Sequence, residues 1–276
     1  HLLNTSDPDM ALNNWERFTR QVGDRAHFFH ELLSQPRRLE LMLKVFAGSQ
    51  FLSDTLIQNP SFLSWIADPK AILHRRDQRA MEAELREPGA PENRREWLNR
   101  LRSFRKREIL RIGTKDICLG LDFLEVVIEI SGLARAIISA AFDQIVSSLS
   151  PEEQDAAENV TILAFGKLGG RELNYSSDID LLLAYEPAGA QRSDLEARTG
   201  AKILQNLVRD LTDFTDQGKA YRVDLRLRPY GDSGEVVNTV DQLLTYYGKS
   251  AALWELQALI KLSPVAGNSD LGWSFL

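Results

Sequence analysis

Two short apolar runs separated by a glycine-rich turn constrain the fold more than any other feature of this chain. Residues 160–166 (VTILAFG) are apolar and β-branched and end in glycine, and residues 178–185 (DIDLLLAY) form a second apolar run. Runs of this length bounded by turn residues indicate buried strands. The second run starts with two carboxylates, Asp178 and Asp180. At the start of an apolar strand their desolvation costs free energy, unless a partner group or ion offsets this cost. The sequence therefore predicts a sheet that carries a pair of acids at one end.

The character of the chain changes near Pro151. Before it, apolar residues recur at helical spacing, most clearly over 126–145. After it, strands and helices are mixed and their connections are short. We therefore predict an α+β fold, with a helical region over residues 1–150 and a domain over 151–276 that has a small mixed sheet flanked by helices.

Local patterns predict further elements in the second half. Ser193 and Glu196 have the spacing of a capping box at the start of a helix. Residues 220–229 (AYRVDLRLRP) alternate strictly between apolar and polar, which predicts a strand closed by its proline. A helix near 240–261 is expected to bury its aromatic side chains, Trp254 among them.

Residues 94–111 form the most basic stretch, with eight Arg or Lys side chains against two Glu. A helix of this composition usually presents a solvated face. Docking on an acidic partner surface is the alternative.

Composition excludes several classes of protein. No apolar run reaches the length of a membrane span, and the N-terminus lacks the order of a signal peptide. One cysteine, Cys118, excludes an internal disulfide framework and a cysteine zinc site, and it fits a reducing cytosol. We expect a cytoplasmic location. The chain begins at His1 rather than at Met, and we expect an excised fragment.

Charge is uneven along the chain. Residues 151–276 carry 12 basic and 19 acidic side chains, a net charge of −7. This half is therefore not expected to bind a nucleic-acid backbone. An acidic domain can still bind phosphates through a metal ion and a few well-placed arginines.

The acids have a spacing that suits metal binding. On a strand, Asp178 and Asp180 point to the same face, about 7 Å apart. On the later alternating run, Asp224 lies on one face with Arg226 and Arg228. If the two strands are neighbours, Asp224 becomes a third carboxylate beside the pair. A solvated strand end is the alternative explanation of the acidic pair alone.

Three acids beside two arginines suit a metal-bound polyphosphate. Mg²⁺ prefers hard oxygen ligands, and arginine forks match phosphate oxygens. The turn at Gly166 and Lys167 can bring backbone amides and an ammonium group close to a phosphate. As alternatives, Arg226 and Arg228 only neutralise Asp224, and Lys167 is only a turn lysine.

Longer segments resemble one known family. FGKLGGRELNYSSDIDL, YRVDLRLRPYGDSGEVVNT and WELQALIKLSPVAG resemble the bacterial glutamine synthetase adenylyltransferase/adenylyl-removing enzymes, within the DNA polymerase β-type nucleotidyltransferase superfamily. The form GGRELNYSSDIDL is more similar to the N-terminal, adenylyl-removing half of that family. Leu262 and Ser263 depart from the family pattern, where a small residue and an arginine are expected.

The resemblance implies a polymerase β-like nucleotidyltransferase domain that removes AMP from a tyrosine of glutamine synthetase by phosphorolysis, yielding ADP. It implies Mg²⁺ or Mn²⁺, with ATP or ADP and inorganic phosphate as substrates. The implied partners are glutamine synthetase and, in the full-length enzyme, a PII-type signal protein, without nucleic acid or membrane. The implied metal ligands are Asp178, Asp180 and Asp224. The candidate phosphate contacts are Gly166, Lys167, Ser177, Arg226 and Arg228.

Two other functions stay open. The same site can be expected to run ATP-dependent adenylylation of the tyrosine. An inactive nucleotide-binding regulatory module is disfavoured because the chain keeps all three acids.

Overall fold

The computed structural model describes residues 2–87, 89, 91–189 and 192–275. The chain divides into two compact units, which are His1–Arg76 with Phe104–Glu129, and Asp77–Ser103 with Ile130–Leu276. The boundary between a helical region and a nucleotidyltransferase domain at residue 150 stays a prediction.

Helices dominate the chain. In chain order they are α1 (Pro8–Gln21), α2 (Arg25–Ser34), α3 (Pro36–Gly48), α4 (Gln50–Gln58), α5 (Phe62–Ala67), α6 (Pro69–Leu73), α7 (Gln78–Arg86), α8 (Arg94–Leu119), α9 (Phe123–Ser147), α10 (Pro151–Ala157), α11 (Gly166–Gly169), α12 (Ser193–Thr212), α13 (Val240–Lys249), α14 (Leu253–Leu259) and α15 (Ser269–Ser274). Short 3-10 turns lie at Leu2–Asn4 and Gly231–Ser233. The strands are β1 (Val160–Ala164), β2 (Ile179–Tyr185), β3 (Val223–Asp224), β4 (Val237–Thr239) and β5 (Ser263–Gly267).

The first unit is helical and closes around aromatic side chains. α1 starts where the Asp7 carboxylate accepts a hydrogen bond from the Met10 amide at 2.9 Å. Its apolar face buries Phe18, whose ring centroid lies 5.7 Å from that of Phe46. Both rings are fully buried, so this contact forms part of the core of the unit.

The first unit also buries charge on the basic helix α8. Arg111 is buried and donates hydrogen bonds to Glu108 at 2.8 Å and to Glu129 at 2.7 Å. Lys115 forms a further ion pair with Glu129. Buried cations of this kind are held by paired carboxylates. The expectation of a solvated face is therefore wrong for Arg111.

The second unit contains a mixed sheet, which the described residues build from five strands in the order β3-β2-β1-β5, with β4 also paired to β2. β1 is antiparallel to β2 and β5, whereas β2 is parallel to β3 and β4. Every residue of β1 is buried, and Asp180 is the one residue of β2 that is only partly buried. The α+β fold with a small mixed sheet flanked by helices is thus confirmed.

Some local predictions in this unit are wrong. The strand expected over 220–229 is only two residues long, because the chain turns directly after Asp224. Ser193 and Glu196 form no capping box; instead the Glu196 carboxylate is buried and accepts a hydrogen bond from the Ala188 amide at 3.1 Å.

The helix expected near 240–261 is divided into α13 and α14. Trp254 lies on α14 and is 59% exposed, so it does not join the core with Tyr246 and Tyr247. No helix in the described residues has the length and apolar character needed to cross a membrane.

Candidate active site

The glycine turn lies against the carboxylate of Asp180. Gly166 follows β1 with φ of +56°, a backbone conformation that suits glycine. A Cβ atom placed on Gly166 would lie 2.8 Å from Asp180 Oδ2. The amide of Phe165 also donates to the carbonyl oxygen of Asp180 at 3.0 Å. The turn predicted as a phosphate cradle therefore lies against Asp180, the second of the paired acids.

Asp180 and Asp224 lie opposite each other on neighbouring parallel strands, in the register Asp180↔Asp224. Paired residues on adjacent strands present their side chains on the same face of a sheet. Burial raises the pKa of Asp180, and the negative charges of Asp224 and Asp178 raise it further. Asp180 is therefore the acid on which the charges of the other two act.

Asp224 is neutralised by a near neighbour in the sequence. Arg226 donates to its Oδ2 from Nη2 at 2.5 Å and from Nε at 2.9 Å, and the Arg226 amide donates to Oδ1 at 2.8 Å. These bonds, with the hydrogen bond of the guanidinium foremost, lower the pKa of Asp224. Arg226 is brought back over Asp224 because the strand ends there and the chain turns.

Asp178 lies just before β2 and forms an ion pair with Arg222. Arg222 also donates to the carbonyl oxygen of Ser176 at 3.2 Å. Arg222 is a neighbour of the acids that our sequence prediction left out of the site. Its position two residues before Asp224, on the same face of the alternating run, is the signal that would have identified it.

Arg228 has a different environment from Arg226. Its side chain donates to the carbonyl oxygens of Leu225 at 2.8 Å and Gly234 at 3.4 Å. Its charge still lowers the pKa of Asp224. Arg228 thus holds the loop after β3, and its hydrogen bonds do not reach the acids.

Two further predicted contacts lie on the approach to the acids. Ser177 donates its hydroxyl to Asn174 Oδ1 at 2.7 Å, within the loop that precedes β2. Lys167 is exposed on α11, and its charge partly offsets the rise in the pKa of Asp180. Through its hydrogen bond, Asn174 orients Ser177; the sequence prediction did not include Asn174.

The donor set suits a divalent cation by its chemistry. Three carboxylates, of which two raise the pKa of the third, Asp180, supply the oxygen ligands that Mg²⁺ and Mn²⁺ prefer. In the part of the chain that the structure describes, no group of three or more His, Cys, Asp or Glu side chains is arranged as a metal site. Asp178 and Asp224 are turned to Arg222 and Arg226 instead.

The chain is similar to known bacterial enzymes over its full length. A bifunctional glutamine synthetase adenylyltransferase/adenylyl-removing enzyme of Cutibacterium acnes is 33% identical over 100% of this chain and 29% of its own length. The enzyme of the same name from Corynebacterium glutamicum is 31% identical over 100% of this chain and 27% of its own length. That from Thioalkalivibrio sulfidiphilus is 28% identical over 98% of this chain and 30% of its own length.

The chain thus spans less than a third of each of these relatives. A sequence model of the glutamate–ammonia ligase adenylyltransferase family matches residues 39–276, which include every candidate site residue. The chain belongs to the glutamate–ammonia ligase adenylyltransferase family.

Proposed function

We propose that residues 151–276 form a metal-dependent nucleotidyltransferase domain that removes AMP from an adenylylated tyrosine of glutamine synthetase. The observation that carries the proposal is the register of Asp180 opposite Asp224, with Gly166 against the carboxylate of Asp180. The names of the relatives include both the adenylylating and the adenylyl-removing activity. The removing direction is supported by the similarity of the GGRELNYSSDIDL segment to the N-terminal half of the family.

The proposed reaction is a phosphorolysis. An oxygen of hydrogenphosphate forms a bond to the phosphorus of AMP, and the bond between that phosphorus and the tyrosine oxygen breaks. The proton of hydrogenphosphate ends on the tyrosine hydroxyl, so the products are ADP and free tyrosine. Such a transfer depends on positioning and on the neutralisation of phosphate charge.

The acids and the cations have separate tasks in this proposal. Asp178, Asp180 and Asp224 would hold Mg²⁺ or Mn²⁺, which would offset phosphate charge when bound. Gly166 leaves Asp180 uncovered because it has no side chain, which also lets a phosphate approach the backbone.

The cations are expected to change partners when substrate binds. Arg226 is exposed and forms an ion pair with Asp224. Because its guanidinium is already in contact with solvent, it can leave this carboxylate and bind a phosphate oxygen without the exposure of a buried group. Lys167 and Ser177 lie on the approach to the same acids and are proposed phosphate contacts. Arg228 is proposed to act on phosphate through its charge and to orient the loop after β3.

The direction of the reaction can be tested with the chain as it stands. The chain is incubated with adenylylated glutamine synthetase and phosphate, or with unmodified glutamine synthetase and ATP, each with Mg²⁺. We expect ADP in the first mixture and no pyrophosphate in the second. Pyrophosphate in the second mixture alone would establish the adenylylating alternative, and nucleotide binding without turnover in either would establish the inactive module.

The role of the acids is tested by a matched pair of variants. We expect Asp180→Asn to lower turnover by about 100-fold or more, since a group that supports transition-state charge is lost. The control, Asp232→Asn, removes an acid from the nearby loop. The side chain of Asp232 is 80% exposed, and this variant should retain turnover. Equal activity of both variants would contradict the assignment.

We further propose a cytoplasmic location and a role in the regulation of nitrogen assimilation. In the full-length enzyme a PII-type signal protein is a candidate partner. These points rest on the family resemblance.

A further inference from the structure

A small cavity lies beside the end of α11, in the second unit. Its volume is about 290 Å³, at the lower end of the range of small-molecule sites, roughly 300–1,000 Å³. Among its described lining residues are three cations and no carboxylate; the cations are Arg135, Arg171 and Lys261. Leu262 and Trp273 contribute apolar side chains to the wall of the cavity. The size and the one-sided charge point to a small anion rather than to a nucleotide.

Arg135 is a buried cation without an ion pair in the described part of the chain. It is 6% exposed, and its guanidinium donates to Ser263 Oγ at 3.0 Å, to the Pro264 carbonyl oxygen at 2.5 Å and to Gln78 Oε1 at 3.2 Å. All three acceptors are neutral, so the charge itself is not matched by a bonded carboxylate. Burial of such a charge is costly unless an anion accompanies it.

The charges around Arg135 leave the cavity electropositive. The pKa of Arg135 is lowered to about 10, mainly by burial and next by the charge of Arg171, whereas Glu82 acts in the opposite direction. Arg171 is exposed and has no ion pair with a described residue. Lys261 is bonded to Glu172 at the surface and still lines the cavity. Arg135 and Arg171 therefore line one space whose described lining residues include no acid.

We propose that this cavity binds a small oxyanion of the phosphate or carboxylate class. Arg135 and Arg171 would hold it through charge-assisted hydrogen bonds, with Lys261 at the rim. Each terminal nitrogen of Arg135 carries a second N–H beyond the one that bonds Ser263 or Pro264. This site differs from the nucleotide site proposed at Asp180.

The test is a titration with inorganic phosphate in the presence of a chelator, so that the proposed metal and nucleotide site is not involved. Trp273 lines the cavity and serves as the fluorescent reporter. Ionic strength is held constant with chloride, because surface charges respond to salt alone. We expect a saturable fluorescence change that is lost in Trp273→Phe, with binding heat still present by calorimetry.

Variants at the exposed cations separate this site from others. Arg171→Asn suits the left-handed backbone at this position, where φ is +57°, and should weaken phosphate binding about tenfold, equal to about 1.4 kcal/mol. Lys261→Gln should weaken it less. Arg226→Gln, which removes a cation beside Asp224, should leave this binding unchanged. Parallel titrations with phosphate and succinate distinguish the two oxyanion chemistries.

Two results would overturn the proposal. One is the absence of saturable binding of either anion to the unmodified chain. The other is binding that Arg226→Gln abolishes and Arg171→Asn does not change, which would assign the anion to the acids of the nucleotide site. Since the titration needs neither turnover nor glutamine synthetase, its result does not depend on whether the proposed function is correct.

Discussion

Asp180 on β2 and Asp224 on β3 lie directly opposite each other in a parallel strand pair. Of these two acids, Asp224 is the one with a guanidinium group bonded to it among the described residues, because Arg226 turns back over it after the strand ends. Asp180 is left partly buried beside two other negative charges, and its pKa rises while that of Asp224 falls. The site thus holds a carboxylate with a raised pKa next to one with a lowered pKa.

The negative charge of Asp180 should destabilise the fold at neutral pH, because burial and the two neighbouring acids outweigh the cations near it. Its pKa in the folded state is raised above the value in the unfolded state, about 3.9. Between these two pKa values the folded state binds more protons, so stability falls as the pH rises through that window and stays lower above it. We expect Asp180→Asn to raise the free energy of unfolding at pH 7 in metal-free buffer.

The gain should disappear below the unfolded pKa, where Asp180 is protonated in both states. Urea unfolding at pH 7 and below about pH 3.9 measures the difference. The exposed control Asp232→Asn should change little at either pH. A loss of stability in Asp180→Asn at pH 7 would contradict the assignment of an unfavourable charge.

Two features favour glycine at position 166: the left-handed backbone and the close approach of the Asp180 carboxylate. A matched pair of variants tests the two features separately. In Gly166→Ala, the left-handed backbone costs about 1 kcal/mol, and the new methyl group also displaces the Asp180 carboxylate. In Gly218→Ala, φ is +77° but no other group lies within 4 Å of the new methyl group. We expect similar losses of stability in both variants and a loss of turnover only in Gly166→Ala. Intact turnover in Gly166→Ala would show that Asp180 tolerates the displacement.

Arg102 on the basic helix α8 should be important for the stability of the second unit. It is 1% exposed and donates to the carbonyl oxygens of Gly218 at 2.8 Å, Asp210 at 3.0 Å and Asp213 at 2.5 Å. These carbonyls belong to the end of α12 and to the turn that leads toward β3. Arg102→Met removes one donor from each of these carbonyl oxygens, although that of Gly218 still accepts from the Thr215 amide at 3.0 Å. We expect a loss of about 3 kcal/mol or more in the free energy of unfolding.

The control for this prediction lies on the same helix. Arg95 pairs with Asp216 at 2.5 Å, but both side chains are more than two-thirds exposed. Arg95→Ala should therefore change stability by about 0.5 kcal/mol or less. Chemical denaturation of both variants measures the contrast, and equal effects would show that the buried hydrogen bonds of Arg102 add nothing.

Arg222 should compete with a metal ion for Asp178. The ion pair between them is exposed, and pairs of this kind contribute about 0.2–1 kcal/mol. Arg222→Gln should therefore strengthen Mn²⁺ binding by up to about fivefold, because the carboxylate no longer has to leave a guanidinium. Mn²⁺ titration without nucleotide, followed by electron paramagnetic resonance, measures this change. The control is Arg198→Gln on α12, and weaker Mn²⁺ binding in Arg222→Gln would argue against competition.

The helices and strands around the site could be predicted from the sequence where a local pattern of apolar residues determines them. The apolar run over 160–166 becomes β1, and the run over 178–185 becomes β2 from Ile179 onward. The stripe over 126–145 lies within α9. In each case burial of a periodic apolar face decides the structure, and the period is visible in the chain itself.

Predictions failed where a distant or a competing partner decides the structure. The alternation over 220–229 suggested a long strand, but hydrogen bonds to β2 extend only to Asp224. Glu196 has the spacing of a capping residue, yet its carboxylate bonds the amide of Ala188 and the side chain of Asn159. A local pattern offers such a residue several partners, and tertiary packing selects one of them.

The sequence by itself determined that the second half carries two buried strands and that a pair of acids lies at the start of the second, because apolar runs are properties of the chain. It also determined that Gly166 precedes the acids in a turn. Only the tertiary structure decided that Asp180 faces Asp224, that Arg226 and Arg222 neutralise the other acids, and that Arg102 and Arg135 are buried. Most of these outcomes depend on contacts between residues far apart in the chain, and the bond of Arg226 to Asp224 depends on the turn that ends β3. The desolvation and hydrogen bonding of these groups exist only once the chain is folded.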